Sequence, residues 1–123
     1  MRYSIGKFSE ISNLSIHTLR YYEKEQLIIV GRDAADRRYY TEEDISWILF
    51  IKRLKETGMP IKDIKKYAIL RYEGDSTMLQ RLHMLEEHHL LVLKEKEKWE
   101  SNLINLEEKI KIYEERIAQM ANV

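Results

Sequence analysis

Cysteine is absent from this chain of 123 residues, which excludes disulfides, thiolate metal sites and cysteine catalysis together. Proline occurs once and glycine only four times, so the composition favours long uninterrupted helices. No apolar run approaches the roughly 18 residues that a membrane-spanning helix needs. The N-terminal segment MRYSIGKFSE lacks the apolar stretch of a signal peptide. We therefore expect a cytoplasmic protein with no membrane partner.

An excess of one charge is also lacking, because 21 Lys and Arg residues balance 21 Asp and Glu residues. Residues 1–66 carry 13 basic and 10 acidic side chains, a balance of +3, whereas residues 67–123 carry 8 and 11, a balance of −3. So small a bias is weak evidence for a nucleic-acid partner. The grouping of the basic residues is more informative than their sum.

The N-terminal part of the chain predicts two short helices joined by a tight turn. Ser4 can cap a first helix, and Ser15 can cap a second helix over roughly residues 16–25. Asn13 lies in the break between them and tolerates the left-handed conformation that often ends a helix. Two short helices with such a turn form a helix-turn-helix.

The next segment predicts a β-hairpin that would form a wing. Residues 27–30 are a β-branched apolar run, residues 31–36 are typical of a turn, and residues 37–40 would return as the second strand. A short hairpin directly after a helix-turn-helix gives a winged domain.

Both elements carry residues that can contact DNA. Arg20 of the second helix can reach a phosphate or a guanine edge, and tyrosine hydroxyls can donate to phosphates. Because adjacent helical residues point about 100° apart, we expect one of Tyr21 and Tyr22 to pack into the core instead. In the hairpin, phosphate binding is favoured most for Arg38. The alternative is a solvated loop in which arginines pair with neighbouring aspartates.

Two more helices follow the hairpin. Thr41, with three acidic residues after it, is a strong signal for a helix N-terminus. Gly58 is a natural stop for this helix, and Pro60 can begin the next one.

From Leu82 onward, apolar residues recur at alternating spacings of three and four, which predicts a left-handed coiled coil of roughly 60 Å. A single helix of that length cannot bury its apolar stripe within its own chain, so we expect it to pair with a second copy. The predicted dimerisation residues are Trp99, Leu103, Leu106, Ile110, Tyr113 and Ile117.

Taken together, these motifs resemble the MerR family of bacterial transcription regulators. The resemblance covers residues 3–70 and rests on IGKFSEISNLS, TLRYYE, QLI, RRYY, EEDI and GMPIKDIKKY in that order. It implies a mostly α fold, with a winged helix-turn-helix DNA-binding domain at residues 1–75. It also implies a long C-terminal dimerisation helix at residues 76–123, paired as an antiparallel coiled coil.

The resemblance further implies that the homodimer binds double-stranded promoter DNA. The second helix would enter the major groove, and the wing would follow the DNA backbone. The residues that this implication assigns to DNA contact are Ser15, His17, Thr18, Arg20, Tyr21, Arg37, Arg38, Tyr39 and Lys62.

The segments WILFIK and YEGD are similar to the aldehyde-responsive branch of that family, and so point to a stress response. That branch is described as sensing through a cysteine after the Ile-Lys pair, and here Arg53 stands in that place. Without any thiolate, neither this mechanism nor cysteine-based metal sensing can be carried over. Asn13 and Gln26 stand where family members often place glycine, and Gln26 fits such a turn less well.

Histidine is the remaining residue type that could carry site chemistry. His83, His88 and His89 lie close in sequence, but none are paired at i,i+4, which disfavours a metal site within one chain. A site shared across a dimer is a minor alternative. Because no P-loop, GxGxxG motif or recognisable catalytic set is present, we predict neither an enzyme nor a cofactor.

The leading interpretation is a regulator that distorts the spacer of its promoter so that RNA polymerase can engage. An unidentified small-molecule effector could act where Tyr67, Tyr72 and the start of the long helix meet. The alternative is a coiled-coil protein-interaction adaptor whose winged head is a docking module. A preference for promoter DNA over random DNA distinguishes the two.

Overall fold

The computed structural model describes residues 1–122, and it confirms a mostly helical chain with a small two-stranded sheet. No helix in that range has both the length and the apolar character needed to span a membrane. The elements, in chain order, are α1 (Ile5–Ser12), α2 (Ile16–Lys24), β1 (Gly31–Arg32), β2 (Arg38–Tyr39), α3 (Glu42–Glu56), α4 (Ile61–Glu73), a 3₁₀ turn (Asp75–Thr77) and α5 (Met78–Ala121).

Packing divides the chain into two compact units. The first, called the head below, extends from Met1 to Leu85, and the second begins at Glu86. The predicted domain boundary between residues 75 and 76 lies inside the head. Packing continues past that point because Met84 and Leu85 still lie against the core of the head.

The helices of the head begin at the capping residues that the sequence predicts. The side-chain oxygen of Ser4 accepts a backbone hydrogen bond of 3.1 Å in α1, and that of Ser15 accepts one of 3.0 Å in α2. Thr41 and Asp44 form a reciprocal capping box at the start of α3. Asn13 takes the expected left-handed conformation after α1, with φ of 56°.

The hairpin forms, but its strands are shorter than predicted and one of them is displaced. β1 (Gly31–Arg32) lies in the segment that was predicted to be the turn, and it pairs antiparallel with β2 (Arg38–Tyr39). The prediction of a strand over residues 27–30 is wrong. Leu27 and Ile28 are apolar because they are buried in the core, at 0% and 1% exposure, rather than because they belong to a sheet.

Aromatic side chains join the elements of the head around one core. Phe8 of α1 and Tyr40, directly after β2, stack with ring centroids 4.2 Å apart. Trp47 of α3 stacks on Tyr67 of α4 at 5.8 Å, and its Nε1 donates to the carbonyl oxygen of Leu27 at 2.7 Å. The core therefore holds the segment between α2 and the wing against both later helices.

In the second unit, the apolar stripe of α5 is exposed to solvent. The six predicted dimerisation residues are between 49% and 66% exposed. A groove of about 330 Å³ lies along the C-terminal part of the stripe. Its lining residues are Leu106, Lys109, Ile110, Tyr113, Glu114 and Ile117.

Tyr40 carries a polar group that the core does not satisfy. The residue is fully buried, and among residues 1–122 its hydroxyl has no hydrogen-bond partner. The same burial raises the pKa of the phenol. Because a buried unsatisfied group costs about 1–3 kcal/mol, Tyr40→Phe should raise the free energy of unfolding by roughly 1 kcal/mol or more. Urea denaturation followed by circular dichroism measures this change.

Tyr72→Phe is the matched control for that substitution. The hydroxyl oxygen of Tyr72 accepts a 3.0 Å hydrogen bond from the backbone N–H of Ile29, so its removal leaves a donor unpaired. This variant should lower the free energy of unfolding by about 1 kcal/mol. Equal destabilisation by both variants would contradict an unsatisfied hydroxyl at Tyr40.

Candidate nucleic-acid interface

One face of α2 presents polar, basic and aromatic side chains to solvent. His17, Arg20, Tyr21 and Lys24 are all exposed, and their spacing of i, i+3, i+4 and i+7 places them on one side of the helix. We call these four residues the exposed stripe of α2. They supply cations, an imidazole and a phenolic hydroxyl, which are the groups that contact phosphates and base edges in a DNA groove.

The opposite face of α2 fixes the helix to the head. Leu19 is fully buried and Tyr22 is 2% exposed, whereas Tyr21 is 42% exposed. The prediction that one of the two tyrosines packs into the core is therefore confirmed, and that tyrosine is Tyr22. Burial of this face aims the exposed stripe of α2 away from the core.

Ser15 and Thr18 have their hydroxyl groups engaged at the start of α2. Ser15 Oγ accepts from the backbone N–H of Thr18 and donates to Thr18 Oγ1 at 2.9 Å. This capping satisfies one N–H group of the first turn and sets the direction in which α2 leaves the preceding turn.

Asp33 shapes the tip of the wing. Its Oδ1 accepts hydrogen bonds of 2.9 Å from the backbone N–H groups of Ala35 and Arg37. The bond from Arg37 is the main reason why the pKa of this carboxyl is lowered. The side chain of Arg37 is 79% exposed, and its Nε lies 3.5 Å from Asp33 Oδ2. So exposed an ion pair holds the guanidinium only weakly and leaves it able to bind a phosphate.

Glu23 of α2 binds the other two arginines of the wing. Glu23 Oε1 lies 3.3 Å from Arg32 Nη2, and Glu23 Oε2 accepts a hydrogen bond from Arg38 Nε. This second bond raises the pKa of the Arg38 guanidinium. One carboxylate of α2 therefore contacts both strands of the wing.

Arg2 extends the basic surface of the wing. Tyr3 exchanges two backbone hydrogen bonds with Tyr40, of 2.7 and 2.8 Å, which brings the N-terminal segment beside β2. The Arg2 guanidinium lies 4.0 Å from the centroid of the Tyr39 ring. The same ring lies over Gly31, so a Cβ atom at that position would force the Tyr39 side chain to move. A cleft of about 550 Å³ in this region is lined in part by Arg2, Arg32, Arg37 and Arg38.

Lys62 lies in the first turn of α4 and is exposed. Pro60 caps this helix without a side-chain hydrogen bond. The exposed ammonium of Lys62 can attract a phosphate at this helix terminus, where Asp63 also places a carboxylate in the first turn.

Within one chain, the described histidines lie outside any cluster of potential metal ligands. Within residues 1–122, no group of three or more His, Asp or Glu side chains could hold a metal ion. His83 and His89 are instead exposed on α5.

Three residues of this surface were missing from the sequence-based set of DNA contacts. Lys24 could have been found, because it continues the helical spacing of His17, Arg20 and Tyr21. Arg2 and Glu23 could not, since their roles depend on which residues the fold brings to them.

Comparison with known proteins identifies relatives of this chain. Residues 3–68 match the family model for MerR HTH family regulatory proteins. An uncharacterized HTH-type transcriptional regulator of Haemophilus influenzae is 41% identical over 87 residues, which are 70% of this chain and 64% of that protein. The HTH-type transcriptional regulator AdhR of Bacillus subtilis is 40% identical over 83 residues, 67% of this chain and 59% of that protein. The chain thus spans less than two thirds of the length of these curated relatives.

A solved structure agrees with these sequence matches. HiNmlR, a MerR family regulator that lacks the sensor domain and was crystallised with promoter DNA, matches with a TM-score of 0.85 at 36% identity. The match covers 96% of this chain and 94% of that one. These relatives are regulators rather than enzymes, in agreement with the prediction from the sequence. The chain therefore belongs to the MerR family of helix-turn-helix regulatory proteins.

Proposed function

We propose that this protein regulates transcription by binding promoter DNA as a homodimer. The observation that carries the proposal is that one head presents both the exposed stripe of α2 and a wing with an exposed Arg37. The similar regulator HiNmlR is bound to promoter DNA, which supports DNA as the partner. Because bacterial DNA lies in the cytoplasm, the proposal places the protein there.

In this proposal α2 is the recognition helix and enters the major groove. Its N-terminal cap, formed by Ser15 and Thr18, positions the first turn against the DNA backbone. The wing and the start of α4 bind phosphates on either side. The side chains that contact DNA directly are His17, Arg20, Tyr21, Lys24, Arg37, Tyr39 and Lys62.

We propose that α5 pairs with α5 of a second copy as an antiparallel coiled coil. Pairing would bury the apolar residues that are about half exposed in the single chain. Leu106, Lys109, Ile110 and Tyr113 line this groove at i, i+3, i+4 and i+7, the spacing of a hole that receives a side chain of the partner helix.

Two heads on one coil would bind two DNA half-sites at a fixed separation. Where the promoter spacer does not match that separation, binding energy offsets the cost of bending and twisting the DNA. The distortion would bring both promoter elements within reach of RNA polymerase.

We place a small-molecule effector beside Tyr72 rather than at Tyr67. Tyr67 is 7% exposed and stacks on Trp47, so it belongs to the core. An effector would regulate the protein by binding one arrangement of the head more tightly than another. The cleft beside Tyr72 measures about 550 Å³ and is lined by Glu23, Gln26, Ile28, Ile29, Val30, Ile69, Tyr72 and Glu73.

Arg20→Ala tests the recognition helix. Because a good arginine contact with a base contributes about 1–3 kcal/mol, this variant should bind a selected DNA site about ten-fold more weakly or worse. Sites are selected from a randomised duplex pool with the wild type, and affinity is measured by fluorescence anisotropy at fixed salt.

Arg53→Ala is the matched control, since Arg53 is exposed on α3 and lies outside the exposed stripe of α2. It removes the same charge and should leave affinity nearly unchanged. A wild type that selects no sequence from the pool would overturn the proposed function and favour the adaptor interpretation.

Ile110→Lys tests the dimer. Ile110 belongs to the apolar stripe of α5, so a lysine there would bury a charge without a partner in the paired helices. The dimer should therefore dissociate about 100-fold more readily. Sedimentation equilibrium over a range of concentrations measures the change. Ile112→Lys is the control. Ile112 lies in the same helical turn and is 44% exposed, but it does not belong to the apolar stripe. If both substitutions weaken the dimer equally, the two helices do not pair along the predicted apolar stripe.

A further inference from the structure

A carboxylate on the recognition helix calls for an explanation, because it lies on an element that the proposed function brings close to phosphates. Glu23 is the acidic residue of α2. A negative charge beside DNA weakens binding by repulsion. Glu23 is therefore compatible with tight DNA binding only if it has a second role that offsets this repulsion.

The wing shows what that task is. Arg32 of β1 and Arg38 of β2 are directly opposite each other in the hairpin. Like charges at opposite positions of an antiparallel pair repel and destabilise the pairing. Each oxygen of the Glu23 carboxylate binds one of these two arginines, so a single anion offsets part of the repulsion and ties both strands to α2.

Solvent exposure separates the roles of the wing arginines. The side chain of Arg37 is 79% exposed, whereas those of Arg32, Arg38 and Glu23 are 40%, 28% and 22% exposed. Arg32 is held a second time, because its Nη1 donates to the carbonyl oxygen of Asp36 at 3.2 Å. Arg37 is thus held only by an exposed pair with Asp33 and can bind phosphate, while Arg32 and Arg38 are both held by Glu23.

We propose that Glu23 is a positioning residue that locks the wing to the recognition helix, and that Arg38 acts on DNA binding through Glu23. The inference rests on the proposed function, and it replaces the expected phosphate contact of Arg38 by a structural one. The carboxylate of Glu23 then sets the distance between α2, which contacts the groove, and the wing, which contacts the DNA backbone.

Glu23→Gln tests this role, because simple charge repulsion and a positioning role predict opposite changes in DNA affinity. A glutamine is neutral and has one acceptor oxygen in place of two, so it cannot reproduce both charged bonds to the arginines. If Glu23 only repelled phosphates, the variant would bind the selected DNA site more tightly. As a positioning residue, its loss should weaken binding about ten-fold, the effect of losing a charged hydrogen bond. Anisotropy at fixed salt measures the affinity.

Glu25→Gln is the matched control. It removes the same charge two residues later, and Glu25 Oε2 lies 3.6 Å from Lys65 Nζ of α4 rather than near the wing. Its affinity for DNA should stay unchanged or rise slightly. In the free protein, the Arg38 Hε resonance in the NMR spectrum should shift in Glu23→Gln and stay in place in Glu25→Gln.

Salt dependence separates positioning from phosphate contact without relying on Glu23→Gln remaining folded. The logarithm of affinity falls with the logarithm of salt concentration, and each lost phosphate contact makes that slope less steep by about 1. Arg37→Ala should show that decrease. Arg38→Ala should weaken binding with the slope unchanged. Glu23→Gln combined with Arg38→Ala should weaken binding by less than the sum of the two single effects, because both single variants lose the same Glu23–Arg38 bond.

The outcomes are distinguishable. Wild-type affinity or tighter binding in Glu23→Gln overturns the inference, and so does a slope in Arg38→Ala that falls as it does in Arg37→Ala. Either result leaves the proposed function intact. A wild type that selects no DNA sequence overturns the proposed function and this role of Glu23 with it.

Discussion

The head depends on the buried hydrogen bond from Trp47 Nε1 to the carbonyl oxygen of Leu27, which is 2.7 Å long. This bond ties α3 to the segment that follows α2. The chain turns there at Gln26, whose φ is positive at 63°. The same indole stacks on Tyr67, and the Arg71 guanidinium lies 4.5 Å from its centroid. Because one side chain contacts α4 and the exit of α2 together, the wing starts from a fixed place beside the recognition helix.

Balanced charge and a basic surface coexist in this chain because several acidic groups of the head are engaged in caps, turns and ion pairs. Three acidic residues lie in the first turn of α3, where the helix dipole favours them. Asp33 shapes the turn of the wing, and Glu23 holds two arginines. Arg20 and Arg37 face solvent, and no residue of the described range holds either of them in a buried ion pair. Net charge is therefore a poor guide to the partner of this protein, whereas the distribution of charge is informative.

Prediction from the sequence succeeded where the signals are local and failed where packing decides. Ser4, Ser15 and Thr41 begin their helices as expected, since a cap depends on residues within one turn. The first strand of the wing was misplaced, because β-branched apolar residues suit a buried loop and a strand equally well. Helical spacing required one of Tyr21 and Tyr22 to be buried. Packing against the rest of the head decided that it is Tyr22.

The sequence by itself determined the helices, the motif order typical of the family, the apolar stripe of α5 and, through the absence of cysteine, the loss of any thiolate sensor. Each of these follows from composition or from residues within a few positions of one another. Only the tertiary structure decided which arginines face outward. Glu23 lies 9 and 15 residues before its two partners, and an ion pair at that separation exists only where the fold brings the chain back. The motif containing Glu23 identified the recognition helix, and the fold added its contact with the wing.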